Sequence, residues 1–164
     1  MNEFGLWYCA LVLQMWLWIL TGLCIITKVH GFASGNFPQS CESMSPDHPQ
    51  GGLITPPQNT VPPFEVLYQH GKKGDPITVS LQSKQSTKFK GFMLEARKKG
   101  VADPSPPVGK FIILDESIRL LTCNGLTASA VSQRNNQPKS LFRVNWTAEG
   151  AELDIFFRYL YTCD

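Results

Sequence analysis

The sequence has few of the side chains on which most enzyme active sites depend. Among its 164 residues there are three histidines, and only His48 and His70 lie outside residues 1–31. There is no Cys-x-x-Cys spacing, no glycine-rich phosphate loop and no arrangement of serine, histidine and aspartate for nucleophilic catalysis. Two histidines on separate loops do not supply a metal or haem site. We therefore predict no catalytic residue, no cofactor and no metal site.

Charge of either sign is also sparse. Fifteen lysines and arginines against thirteen aspartates and glutamates give a formal net charge of +2. This balance is too small to indicate a nucleic acid or an anionic membrane surface, and we predict no nucleic-acid partner. One basic patch is conceivable if the strands that carry its members are neighbours: Lys84, Lys88, Lys90, Arg97, Lys98, Lys99 and Lys110.

The N-terminal segment is almost continuously apolar from residue 6 to residue 26. Such a segment is typical of a signal peptide or a membrane anchor. Val29-His30-Gly31 offers a cleavage site that would place the mature start near Phe32. Against cleavage, the segment is long and no positive charge precedes it. We predict a signal peptide over 1–31 and one domain over 32–164, with an uncleaved anchor as the alternative.

The body of the chain has no helical period. Prolines and glycines over 32–63 predict an extended arm with turns. Beyond it, short segments alternate apolar and polar residues and are separated by glycine, proline and asparagine turns. This pattern predicts an all-β, immunoglobulin-like antiparallel sandwich. The predicted strands are 64–68, 77–82, 89–97, 111–114, 128–133, 142–147 and 153–160.

The segment 89–97 is predicted to be the central strand. Phe92, Leu94 and Ala96 alternate with four other residues, a pattern that favours a strand with one buried face. The four are Gly91, Met93, Glu95 and Arg97. By contrast, the continuous apolar run 111–114 predicts a short strand packed on both sides.

Four motifs in order resemble the reeler domain, which is the N-terminal domain of reelin. They are GFMLEAR at 91–97, PVGKF at 107–111, LLTC at 120–123 and SAVS at 129–132. The resemblance runs from about Cys41 to the C-terminus, and it implies an extracellular β-sandwich. Its motifs are most similar to the first domain of ferric-chelate reductases, whose redox domains follow the reeler domain. We therefore expect a short form or a fragment, with Gln133 standing where the family often has a histidine.

The resemblance also implies a disulfide bond between Cys41 and Cys123, since both match reeler positions. Such a bond would close a loop of about 80 residues and pin the arm to the sheet. We expect His48 to make a structural hydrogen bond near it. Cys163 is left over, and it either pairs between chains or marks a truncated end.

Asn145-Trp146-Thr147 is an N-glycosylation sequon. Strand alternation places Asn145 on the face opposite Phe142 and Trp146, so we predict glycosylation if the chain enters the secretory pathway.

We expect a secreted or extracellular module without catalytic activity, which binds an extracellular protein, glycan or surface ligand through loops and sheet edges. One alternative is an accessory segment or short form of a ferric-chelate reductase-like membrane oxidoreductase. A second alternative is a secreted defence-related protein. Contact with a membrane is expected only if the leader is retained or the chain belongs to a longer protein.

Overall fold

A computed structural model describes residues 34–45, 49–50, 53–54, 60–70, 72, 74–149 and 154–162, together with Val12 and Gln14. The chain divides into two units, Met1–Gly31 and Phe32–Asp164. His48, Cys163 and nearly all of the predicted leader lie outside the described residues. Within those residues, no helix is long and apolar enough to cross a membrane.

The described part of the second unit is built from short strands. A 3₁₀ helix spans Pro38–Ser40 in the arm. The strands are β1 (Pro49–Gln50), β2 (Leu53–Ile54), β3 (Phe64–Gln69), β4 (Ile77–Ser83), β5 (Gly91–Lys98), β6 (Lys110–Ile113), β7 (Ile118–Cys123), β8 (Leu126–Gln133), β9 (Leu141–Thr147) and β10 (Ile155–Thr162).

These strands form two four-stranded sheets and one small hairpin. The first sheet has the order β10-β5-β8-β7 and the second the order β3-β4-β9-β6, while β1 pairs with β2. Every pair is antiparallel. The predicted all-β sandwich is therefore confirmed.

Alternate residues of the strands fill the space between the two sheets. On β9, Phe142, Val144 and Trp146 are buried, whereas the residues between them are more exposed. Phe92 of β5 stacks on Phe142 with ring centroids 3.9 Å apart. The period of two in the sequence thus becomes a continuous apolar core, since successive side chains of a strand point to opposite faces. Its buried members are Phe64, Val79, Leu81, Phe89, Phe92, Leu94, Ala96, Phe111, Ile118, Val131, Phe142, Val144 and Trp146.

The central strand β5 is buried on both faces, so the expectation of one buried face was wrong. Every residue from Gly91 to Arg97 is buried. The reason is that arm residues in the range 34–45 cover the second face of β5 and its neighbours. A second apolar cluster forms there from Phe37, Cys41, Met44, Met93, Leu121, Cys123 and Ala130.

Strand β6 also differs from its prediction. Among the described strands it pairs with β9 alone and lies at the end of its sheet. Ile112, Ile113 and Leu114 are exposed, so the run is not packed on both sides. A continuous apolar run is consistent with a buried strand but does not show what covers it. The alternation also failed to predict β7, in which burial is irregular.

Candidate functional site at the open edge of the sandwich

The arm is attached covalently to the first sheet. The sulfur atoms of Cys41 and Cys123 lie 1.99 Å apart in a disulfide bond, which joins the pair that the reeler resemblance implies. Gly35 has a φ of 63°, and a Cβ there would collide with the backbone of Gln133. Only glycine combines this conformation with so close an approach. The arm therefore lies directly on the sheet.

A buried arginine makes a second attachment. The Arg97 guanidinium donates hydrogen bonds to the Glu95 carboxylate, to Asp103 Oδ1 at 2.9 Å and to the Cys41 carbonyl at 2.8 Å. Arg158 of β10, which lies opposite Glu95 in the ladder, donates to Asp103 Oδ2 at 3.3 Å and to the Ser43 carbonyl at 3.0 Å. Two cations thus bind carbonyl groups of the arm, and Asp103 lies between them.

Glu95 is enclosed beneath the arm. Its side chain is fully buried, and its Oε2 atom has no hydrogen-bond partner among the described residues. Burial raises the pKa of this carboxyl above its usual range, and the hydrogen bond from Arg97 opposes the rise only in part. A carboxyl with a raised pKa is a feature of some active sites. Here solvent does not reach it, and its hydrogen-bond partner is Arg97, which in turn donates to the Cys41 carbonyl of the arm.

Three of the seven residues named for the conceivable basic patch are buried or paired with a carboxylate. Arg97 is 1% exposed, so it contributes nothing to the surface. Lys99 pairs with Asp154 at 2.8 Å, and Lys110 pairs with Glu149 at 2.7 Å. These pairs reduce the positive field that the sequence suggested.

Gln133 has a role that the sequence did not reveal. Its Oε1 atom accepts hydrogen bonds from the Phe92 N–H and the Ser132 hydroxyl, both at 2.9 Å. The ladder between β5 and β8 pairs only Met93 to Glu95 with β8, so the side chain of Gln133 completes it. Gln133, which the resemblance placed where the family often has a histidine, is therefore a buried structural contact.

Asn145 lies on the outer face of the second sheet, as the alternation predicted. It is partly exposed, and its Oδ1 atom accepts a 3.0 Å hydrogen bond from the Thr78 hydroxyl of β4. Trp146, next along β9, is buried and donates from Nε1 to the Val108 carbonyl at 3.0 Å. Glycosylation of Asn145 stays a prediction.

The open edge of the sandwich carries a groove. β3 ends one sheet and β10 ends the other, and side chains of both strands meet between them. The Phe64 and Tyr161 rings lie 4.5 Å apart, and the Tyr68 and Phe157 rings lie 6.2 Å apart. Above them is a cavity of about 670 Å³, within the range of small ligand sites. Its lining is Pro62, Phe64, Glu65, Val66, Tyr68, His70, Ile77, Lys84, Lys99, Asp154, Ile155, Phe156, Phe157 and Tyr159.

The edge groove is mainly apolar, with polar groups around it. Two cations and two carboxylates line it, and Lys99 and Asp154 are paired with each other. Glu65 accepts a 2.8 Å hydrogen bond from Gln82. The described residues contain no group of three or more side chains able to hold a metal ion. The arrangement is suited to a ligand that presents apolar groups to the groove floor, and sequence alternation alone did not indicate this site.

Comparison with known proteins agrees with this fold. A family model described as the Reeler domain matches residues 39–162. The chain is 37% identical over 120 residues to "Putative ferric-chelate reductase 1" of Danio rerio, covering 73% of this chain and 20% of that protein. It is 35% identical over 132 residues to "Ferric-chelate reductase 1" of Homo sapiens, covering 77% and 21%. The chain thus spans about one fifth of the length of these curated relatives.

Solved structures show the same architecture. A crystal structure of the human F-spondin reeler domain superposes with a TM-score of 0.54 at 19% identity, over 65% of this chain and 79% of that one. A crystal structure of the Reelin-N domain of F-spondin gives a TM-score of 0.52 at 20% identity, over 65% and 77%. At these identities the likeness concerns the fold alone.

Proposed function

The chain belongs to the reeler family, and from this membership we propose that it is an extracellular binding module with no catalytic activity of its own. The observation that carries the proposal is the aromatic edge groove, a concave apolar site between two sheet edges. The disulfide between Cys41 and Cys123 supports an oxidising, extracellular location, because such bonds are rare in the cytosol. The sequon at Asn145 supports the same location.

A second candidate follows from the relatives. Those named ferric-chelate reductase share 31 to 37% identity with this chain, yet it spans only about a quarter or less of each. The chain would then act as an accessory segment of a longer membrane oxidoreductase. A product that continues into apolar spans of about 20 residues, some with histidines, would support this candidate.

Saturable binding to cell surfaces tests the first proposal. The chain is purified from the medium of secreting cells, labelled, and titrated onto cultured cells with unlabelled chain as competitor. A reduced, alkylated sample serves as the unfolded control. We expect binding that the native competitor removes and the unfolded control lacks. Binding that the unfolded sample reproduces, or reduction of a ferric chelate by the native chain given an electron donor, would contradict the proposal.

A further inference from the structure

We propose that the edge groove accepts an extended segment of a protein chain, which adds to β10 as a further strand. Alternate side chains of that segment would pack on the aromatic floor. The inference rests on the proposed binding function and names the class of ligand for the same groove.

The hydrogen-bond pattern of β10 shows which backbone groups face outward. The Lys99 N–H donates to the Asp154 carbonyl at 2.9 Å, and the register continues from Ile155 opposite Lys98. In an antiparallel ladder, hydrogen-bonded and non-hydrogen-bonded pairs alternate. Phe156, Arg158 and Leu160 therefore exchange backbone hydrogen bonds with β5. The residues between them direct their N–H and C=O groups away from β5. No strand in the described part of the chain pairs with that edge.

Strand β3 forms the other side of the edge groove, and it also has backbone groups that face outward. The Lys84 N–H donates to the Pro63 carbonyl at 2.9 Å, and Phe64 lies opposite Ser83. By the same alternation, Val66 and Tyr68 direct their backbone groups outward and their side chains toward the groove. Both sides of the groove thus carry backbone donors and acceptors above apolar side chains.

This arrangement determines what can fill the edge groove. An occupant that excludes water also desolvates the outward N–H and C=O groups, which is costly unless they find new partners. A purely apolar small molecule offers none. An extended chain offers donors and acceptors at the spacing of a strand, which is how peptides add to exposed sheet edges. The six residues of β3 correspond to a groove of about 20 Å, enough for a segment of five or six residues.

Within the described residues, β10 is the less protected of the two edges. Proteins guard edge strands with proline, charge or a bulge. Pro62 and Pro63 precede β3, which also carries Glu65. β10 has eight residues without proline or glycine, and its single charge, Arg158, is bound to Asp103 and to the arm. We therefore assign the incoming strand to β10.

The charges of the edge groove favour a neutral segment. Its two cations are matched by two carboxylates, so neither sign of charge is attracted overall. Side chains of the segment that face inward meet Val66, Tyr68, Phe157 and Tyr159. The ligand class is therefore an extended stretch with apolar residues at every second position. This pattern also fixes the register of the segment on β10, because a shift by one residue would turn its apolar side chains to the opposite face.

Backbone N-methylation of a probe peptide tests the inference. The probe is an acetylated, amidated heptapeptide of sequence Thr-Val-Thr-Phe-Thr-Val-Thr, titrated into the chain by NMR. Directly opposed residues in an antiparallel pair share a face. The side chains of the two valines and the phenylalanine would therefore point inward, and the backbone groups of the same three residues would exchange hydrogen bonds with β10. We expect N-methylation of these three to weaken binding at least about tenfold, since it removes up to three hydrogen bonds. N-methylation of the threonines, the matched control, should change the Kd by less than about twofold.

A protein variant provides the complementary test. Tyr68 is 59% exposed and lines the edge groove, whereas Leu114 is 53% exposed and does not line it. Tyr68→Ala should weaken binding of the probe about tenfold, and Leu114→Ala should leave it unchanged. Both residues are exposed, so both variants should fold, as melting curves will verify.

Three results would overturn the inference. One is the absence of probe binding at millimolar concentration, and another is equal weakening by both N-methylated probes. The third is sedimentation that shows the chain alone dimerising and the probe dissociating the dimer, because the edge would then be the contact with a second copy. If the probe fails while saturable binding to cells persists, the edge groove is not the site but the binding function stands. If both fail, the proposed function is wrong as well.

Discussion

Arg97 donates a 2.8 Å hydrogen bond to the backbone carbonyl of Cys41, so a buried cation on β5 binds the residue that carries the disulfide. The arm is consequently attached at one point by both a covalent bond and a charge-assisted hydrogen bond. Bonds of this kind are about twice as strong as those between neutral groups. We infer that this anchor keeps the second face of β5 covered.

Loss of the buried cation should strongly destabilise the fold. Arg97→Met leaves the Glu95 carboxylate buried without its partner, and we expect the free energy of unfolding to fall by about 3 to 5 kcal/mol. Urea denaturation measures the change. The double variant Glu95→Gln, Arg97→Met should lose less than the single variant, because no charge is then left alone. An equal or greater loss in the double variant would contradict this explanation.

Stability should depend on the ionisation of Glu95. Its pKa in the folded chain is raised by burial above the ordinary value of 4.5. The folded state then holds the proton more tightly than the unfolded state, so stability falls as pH rises above that value. Relative to Glu95→Gln, the wild-type chain should be progressively less stable from pH 4 upward, until the folded carboxyl is ionised. Melting temperatures of both proteins across this range provide the test, and a difference that does not change with pH would refute it.

Removal of the disulfide should have a large effect. Cys41 and Cys123 are separated by 82 positions, and closing so long a loop contributes about 4.5 kcal/mol in the chain-entropy account. We expect the double variant Cys41→Ala, Cys123→Ala to lose much of that stability. Reductant should destabilise the wild-type chain but leave the variant unaffected, as thermal melts would show. Equal stability of the two proteins would mean that the arm does not depend on the bond.

The aromatic core offers a direct check of the packing. Phe92 is fully buried and stacks on Phe142, so Phe92→Ala should cost about 3 to 5 kcal/mol. Phe156 is 42% exposed and provides the control of the same chemistry. Its replacement by alanine should change the free energy of unfolding by much less. Similar losses at the two positions would show that the assignment of the core is wrong.

Strand alternation in the sequence was sufficient to predict the sandwich. The apolar residues of β4 and β9 fall at every second position, and they form the core as predicted. Through the reeler resemblance, the short motifs around Cys41 and Cys123 were sufficient to suggest the disulfide bond between them. These features are local in the chain, or are carried by short motifs, so a single sequence shows them.

Features that depend on distant segments could not be predicted in this way. The alternation at Glu95 and Arg97 is that of a surface, and only the arm, more than 50 positions earlier, makes it a buried face. The sequence predicts that Ile112 is a core residue, but β6 lies at the end of its sheet and Ile112 is exposed. The edge groove combines β3 with β10, which are about 90 positions apart, and no periodicity brings them together.

The proposed extracellular location of this module can be tested by the intact mass of the chain collected from secreting cells. Spectra are compared with and without glycosidase and reductant, alongside the variant Asn145→Gln. We expect protein in the medium that starts near Phe32, carries a glycan only when Asn145 is present, and gains two hydrogens when the bond between Cys41 and Cys123 is reduced. A product that stays in the cell, uncleaved and without glycan, would contradict it.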